Sequence, residues 1–404
     1  MGTGSCEVLI ARQPIMTPGL EVVGWELLYR QAPTTTASEG IRATARIVVD
    51  GLMELGRDLR GEGEVYLNVP HELFEQRTLL DVPTEGIVLE VLEDVTDVAG
   101  MRPVLEQHRA AGFRLALDDL VPDDPRLELA ELVDVCKVDL QAPPLSEALT
   151  LTRSLAGAGH TVLAEKVETA AERDRSVAAG ATLLQGYLLA RPSQLRGFRP
   201  TALASAELEL LRVVREPELD IGRVEGLIRR DVGLADRFLR LVRLHVGWRE
   251  VDSIRHGLVL LGHRALTRWV TLLALSAATA GAPGEVLTMA GIRAAYCEGL
   301  ERLRPAARPL DAFSLGMFSV LGDAGVVPDA LLSQLPVSAA VAAGLRGDDC
   351  PYRTLLSIPL AAERADFDGV LRAGQQLGLT YRQLTDVQVD ALRWGQELVV
   401  EATG

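Results

Sequence analysis

The residues best able to do chemistry fall at the ends of short apolar runs. Glu26 lies in VVGWELLYR, Asn68 in EVYLNV, Glu90 in GIVLEVLE, and Asp118 with Asp119 in FRLALDDL. Lys137 and Asp139 end VCKVDL, Glu165 and Glu168 end TVLAEKVE, and Gln185 opens the polar step in LLQGYLL. Carboxylates and an amide oxygen converging without His or Cys make a hard-oxygen donor set, suited to Mg²⁺ or Mn²⁺ and in some settings Ca²⁺, and unsuited to zinc held by sulfur or imidazole. Two adjacent acids, Asp118 and Asp119, suggest two ions a few ångströms apart, the arrangement that serves in-line displacement at phosphorus. A phosphodiester is then the natural substrate. Lys137 is placed to position or deprotonate an attacking water, and Arg30, four residues after Glu26, to hold a non-bridging phosphate oxygen.

Two residue types are nearly missing from the chain. Its 41 basic residues include only two lysines, Lys137 and Lys166, and it has one asparagine, Asn68. A compositional bias explains the depletion but not the survivors. An ammonium is a compact point charge that guanidinium cannot imitate, and a neutral amide presents both an oxygen and an NH₂.

Positioning such a set is the task of the elements around it. From residue 8 to about 190 the apolar runs, beginning with VLIARQPI (8–15), alternate with helix-like stretches near 41–60, 71–80, 97–111, 145–158 and 169–179. Near-continuous apolar runs are the pattern of strands buried on both faces, and eight of them predict a closed (β/α)8 TIM-type barrel with an irregular first strand. Strand ends in such a barrel meet at one mouth, where active sites form. After the proline-bearing stretch 190–205 the pattern changes, and from Ala206 apolar residues recur every three or four positions, predicting an all-helical second half. The expected domains are 1–195 and 206–404.

Composition narrows the functional classes. The 404 residues carry a net charge of −15 and only 17 aromatics, which argues against a duplex nucleic-acid binder. Cys6, Cys136, Cys297 and Cys350 are scattered and suggest no disulfide framework. The N-terminus has no basic and apolar leader, and the run from Leu272 to Ala278 is too short to span a bilayer, so the expected location is cytoplasmic with no membrane partner.

The residues also carry a resemblance. ARQPI (11–15), WELLYR (25–30), LNV, LEVLE, LDD, KVD, AEKVET and QGYLLARP occur in the order found in EAL-domain phosphodiesterases of cyclic di-GMP, which the chain resembles over about 1–195. The resemblance implies metal ligation by Glu26, Asn68, Glu90, Asp118, Asp119 and Glu165. It further implies assistance to the water by Lys137, support of the loop after the paired aspartates by Glu168, lining of the metal and water site by Gln185, and dinucleotide contacts by Gln13 and Arg30. Mg²⁺ or Mn²⁺ would be the working ions, with Ca²⁺ inhibitory. Where the family usually continues Phe-Gly-Thr-Gly, this chain reads Leu120-Val121-Pro122-Asp123-Asp124-Pro125, which removes glycine freedom and adds two restrictive prolines. Leu92 stands where a threonine is expected.

The second half resembles the HDOD domain, chiefly through SIRHGLVLLGHRALTRWV (253–270), and the order of the two resembles bacterial EAL–HDOD signalling proteins. Residues 206–404 have His245, His256 and His263 but no adjacent His-Asp pair, so metal chemistry is not expected there and a docking or regulatory role toward a protein partner is. Two readings stay open from sequence: a phosphodiesterase opening cyclic di-GMP to pGpG, or a weak or inactive cyclic di-GMP receptor or scaffold. Barrels of the family it resembles often pair through the loop that is altered here, so the resemblance implies a homodimer.

Overall fold

Strands with every residue buried need partners on both edges and cover on both faces, and closing the sheet on itself supplies the edges. In the computed structural model eight strands close in sequence order. They are β1 (Val8–Met16), β2 (Val22–Gln31), β3 (Glu64–Val69), β4 (Ile87–Val91), β5 (Arg114–Leu120), β6 (Val135–Asp139), β7 (Thr161–Glu165) and β8 (Leu183–Leu184). The structure describes residues 8–31, 63–74, 84–186, 205–216, 218–246, 253–279, 284–322 and 325–403. The helix expected at 41–60, most of that at 71–80, the segment 187–192 and the linker 190–204 lie outside these residues. The chain divides into two units, Met1–Leu195 with Ala361–Gly369, and Arg196–Leu360 with Val370–Gly404.

The irregular first strand is a reversed one. β1 runs antiparallel to both β2 and β8, whereas β2 to β8 are mutually parallel. Helices Val98–Ala110, Leu145–Gly157 and Ala170–Ala179 return the chain between parallel strands. The last shows how local sequence sets its bounds. Thr169 and Glu172 form a reciprocal cap at its start, and Gly180 ends it at φ 109°, a conformation that favours glycine. Between β5 and β6 the return is instead a 3₁₀ segment, Pro125–Leu132.

One layer of the barrel interior is apolar and takes a residue from every strand: Ile15, Val23, Tyr66, Val88, Ala116, Val135, Leu163 and Leu183. Side chains along a strand return to the same face every second residue. Two positions on from this layer, β3 to β7 and the β8 end present Asn68, Glu90, Asp118, Lys137, Glu165 and Gln185. Reversed β1 presents Gln13 two positions back. On β2 the step to Glu26 is three, because the β1–β2 register slips beside Val23. The polar ring is therefore the next interior layer of the same barrel.

From Ser205 the described chain is helical, through Ser205–Val214, Ile221–Arg230, Val232–Val246, Ile254–Ala278, Gly284–Arg302, Pro309–Phe318 and further helices to Tyr381–Thr403. The long helix is broken at Gly262 (φ 75°, ψ 164°), so His256 and His263 sit on separate helical pieces, and His263 Nε2 lies 2.7 Å from the Val214 carbonyl. By length and composition Ile254–Ser276 could cross a membrane, although 61% of its most apolar window is buried in the fold, the pattern of a core helix. In the same unit Glu298, 1% exposed, accepts from Arg264 at 2.8 Å, from Arg302 at 2.6 Å and from Arg268.

Candidate metal centre at the barrel mouth

Register explains why these side chains meet. Asn68 pairs with Glu90 across β3 and β4, and Asp139 with Glu165 across β6 and β7, so each pair stands at one height. Asp118 and Asp119 are adjacent and would ordinarily point to opposite faces. A register irregularity between Leu117 and Leu120, with Asp119 at φ 48°, turns both toward the mouth.

Lys137 occupies the centre and is completely buried. Its Nζ lies 2.5 Å from Asp118 Oδ1, 2.6 Å from Glu90 Oε1, 3.0 Å from Glu165 Oε1 and 3.4 Å from Glu26 Oε2. Burial alone would lower its pKa, but the four carboxylates, Asp118 foremost, raise it well above the usual lysine value. Burial and mutual repulsion drive Glu90 and Glu165 well above the ordinary carboxylate range and raise Asp118 as well. Glu26 differs. Burial pushes it upward, but Lys137 and hydrogen bonds from Gln185 and Asn68 leave it below its ordinary value. Asn68 Nδ2 donates to Glu26 Oε1 at 2.9 Å, and Gln185 Nε2 donates to Glu26 Oε2 and, at 3.1 Å, to Gln13 Oε1.

A hard divalent cation fits this donor set. Oxygen atoms of Glu26, Glu90 and Asp118 come within 4.8 Å of one another, and so do those of Glu93, Asp118 and Asp119. Glu90 is wholly buried, and neither of its oxygens has an aligned hydrogen-bond donor beyond the ionic contact to Lys137. Buried carboxylate oxygens of this kind are costly unless a cation or donor faces them.

Sequence reasoning missed Glu93 and Arg126 and gave Lys166 no role. Glu93, three residues after Glu90, belongs to the second oxygen group. Lys166, at φ 54°, donates from Nζ to Asp119 Oδ1 at 2.8 Å and to Asp139 Oδ2 at 2.6 Å. Arg126, 2% exposed, donates to both oxygens of Asp124 and to the Val91 carbonyl, tying the rebuilt loop to the strand that carries Glu90. The acid spacing could have flagged Glu93, the lysine count singles out Lys166 without saying what it does, and nothing local marks Arg126. Arg30 lies near the end of β2 with its side chain 39% exposed. Glu168 is exposed, its amide donating to Glu172 Oε2 at 2.8 Å, and among the described residues its carboxylate makes no bond to residues 120–125.

The comparisons agree with the two-part layout. A model of the EAL domain matches residues 68–192 and one of the HDOD domain residues 201–331. Gln13, Glu26 and Arg30 precede the first match. The cyclic di-GMP phosphodiesterase CdgJ of Vibrio cholerae is 31% identical over 96% of this chain and 92% of its own length. The uncharacterized protein YuxH of Bacillus subtilis is 27% identical over 97% and 99%. Among solved structures, BlrP1 of Klebsiella pneumoniae with manganese and cyclic di-GMP is 24% identical, covering 46% of this chain and 56% of that one with a TM-score of 0.40. This chain belongs to the family of two-domain EAL–HDOD proteins.

Proposed function

We propose that the chain is a divalent-metal-dependent phosphodiesterase that opens cyclic di-GMP to linear pGpG, working in the cytoplasm. In this reading residues 1–195 carry the chemistry, and 206–404 dock a protein partner or regulate the barrel. The observation that carries the proposal is the polar interior layer, in which the buried Glu90 carboxylate has Lys137 as its one cationic contact among the described residues and stands beside a ring of further acids. Relationship to a phosphodiesterase of cyclic di-GMP supports the choice of substrate.

Glu26, Asn68, Glu90, Asp118, Asp119 and Glu165 would hold the ions. Mg²⁺ or Mn²⁺ there would supply charge stabilisation for the attacking and leaving oxygens of an in-line displacement. Gln13 and Arg30 hold the dinucleotide, Arg30 through a phosphate oxygen. Lys137, kept protonated by its four carboxylates, orients the attacking water by donating to it and is a poor proton acceptor. The water's proton passes to a carboxylate of the ring. The P–O bond to the ribose breaks as the new one forms, and the departing oxygen takes up a proton. Gln185 fixes Glu26 and Gln13 together.

A second reading, a receptor that binds without turnover, is favoured by one observation: Arg126 and Asp124 pin the segment that is glycine-rich in family enzymes. In either reading a homodimer through that segment would complete the assembly. Purified protein incubated with cyclic di-GMP and Mn²⁺, then Mg²⁺, distinguishes the two. Conversion to pGpG that disappears in Glu26→Ala supports the enzyme. Calorimetric binding in Ca²⁺ with no conversion in Mn²⁺ establishes the receptor, and neither result refutes both.

A further inference from the structure

The chain retains two lysines, and the mechanism uses only one. Both end on carboxylates at the mouth, one on each of the adjacent aspartates: Lys137 on Asp118 at 2.5 Å and Lys166 on Asp119 at 2.8 Å. They differ in freedom. Lys137 is completely buried among four acids and has nowhere to go, whereas the Lys166 side chain is 47% exposed and reaches in from the turn after β7.

The surroundings of Lys166 give its ammonium two resting places. Asp139 Oδ2 accepts from it at 2.6 Å, while Asp139 Oδ1 is fixed by the amides of Gln141 at 2.6 Å and Ala142 at 3.1 Å. The Lys166 carbonyl in turn accepts from Gln141 Nε2 at 3.2 Å, which holds the turn at its left-handed φ of 54°. Asp139 is thus a fixed post that keeps the ammonium when Asp119 lets it go. Asp119 and Glu93 belong only to the second oxygen group, and Asp118 is shared with the first. A unit positive charge on it opposes a cation arriving there.

We propose that Lys166 is a built-in cation that competes with the second ion for Asp119, so that the ions load in order. Lys137 is a fixed charge among Glu26, Glu90 and Asp118, the acids of the first ion, whereas the second ion enters only as Lys166 withdraws onto Asp139. This rests on the metal-dependent reading above and assigns a role that the catalytic set does not include. Lys166 is a positioning residue, acting through Asp119.

The test is a Mn²⁺ titration of the full-length protein without nucleotide, with free ion followed by electron paramagnetic resonance and heat by calorimetry. The wild type should bind two ions, the second about tenfold more weakly than the first, the scale on which groups behind a ligand alter metal affinity. Lys166→Gln removes the charge, and Lys166→Gly also relieves the backbone, which protects the test against a variant that fails to fold. Both should tighten the second site by about tenfold and leave the first unchanged. Lys166→Arg, which keeps the charge, should leave the second ion weak. Titrations of the Gln and Gly variants that superpose on wild type, or a weakened second site in both, overturn the proposal. Absence of any bound Mn²⁺ in the wild type overturns the metal reading itself, and this inference with it.

Discussion

Arg126 folds back on Asp124, donating from Nη2 at 2.6 Å and from Nε at 3.1 Å, with the guanidinium 2% exposed and the carboxylate 7%. A third bond, Nη1 to the Val91 carbonyl at 3.1 Å, fastens this turn to β4. Prolines at 122 and 125 restrict the backbone on both sides, so the segment is held by covalent rings and a buried ion pair in place of glycine freedom. Arg126→Ala leaves a buried carboxylate without its partner and should cost about 3–5 kcal/mol, read as a lower urea midpoint at unchanged slope. An unchanged midpoint would show that the ion pair does not hold the loop.

Lys137→Met should disable the site by removing the one cation that faces four acids within 3.4 Å. Turnover of cyclic di-GMP is expected to fall by at least about a hundredfold, the scale of losing a preorganised charged donor. The metal-free protein should lose about 3–5 kcal/mol, and saturating Mn²⁺ should restore part of it. A variant with wild-type turnover would remove Lys137 from the mechanism.

The buried acids also set a pH dependence. Glu90 and Glu165 have folded values well above the ordinary 4.5, chiefly through burial, and Asp118 is raised above 3.8. Between the ordinary and the raised values the folded chain holds more protons than the unfolded one, so their contribution to stability falls as pH rises through that window. Asp139 has the opposite sign. Burial pushes it up, but Lys166 and two amides hold it below 3.8, so its contribution is complete above that value and is lost only in stronger acid. Without metal, the melting temperature should therefore be higher in mildly acidic buffer than at neutral pH, with Mn²⁺ narrowing the difference. A curve that rises steadily to neutral pH would contradict this.

Loading the site should expel protons. An ion among Glu26, Glu90 and Asp118 requires the raised carboxylates to ionise. Calorimetric titrations with Mn²⁺ near neutral pH, in two buffers of different ionisation enthalpy, should give apparent enthalpies that differ in the direction of net proton release. Equal enthalpies would place the acids already ionised.

The helical unit offers its own check. A side chain on Gly316, in the helix Pro309–Phe318, would stand 2.4 Å from the backbone carbon and oxygen of Arg293 in the helix Gly284–Arg302. Gly316→Ala should therefore destabilise that unit by about 1–3 kcal/mol while leaving Mn²⁺ binding by the barrel unchanged. Equal stability would mean that the two helices separate freely.

Much of the site could be read from the sequence because it obeys period two. Asn68, Glu90, Asp118, Lys137, Glu165 and Gln185 each follow an apolar barrel residue by two, and a short apolar run ending in such a residue reveals both. What escaped was set by tertiary context. The reversal of β1 depends on pairing across the whole barrel, and nothing in VLIARQPI specifies direction. Lys166 lies one step past its strand in a left-handed turn, where alternation no longer tells which way a side chain points. Arg126 reads as a surface cation in a polar loop, and its burial follows from the position of the Val91 carbonyl in space. Rarity and a strand end point to Lys137 as a site residue, but the choice between orienting and deprotonating a water needs the four oxygens around it.

β8 is only Leu183–Leu184, and among the described residues β1 meets it through a single registered pair, Met16 with Leu184. The cylinder is thus a broad, well-laced ribbon with one thin seam. Joining the seam brings together residues about as far apart in the chain as Gln13 and Gln185, which are 172 positions apart, so it is the slowest closure for a growing polypeptide to achieve. The amide of Gln185, bonded to both Gln13 and Glu26, works as a clasp across that seam, so a barrel with its eighth strand still unmade also lacks a finished polar layer.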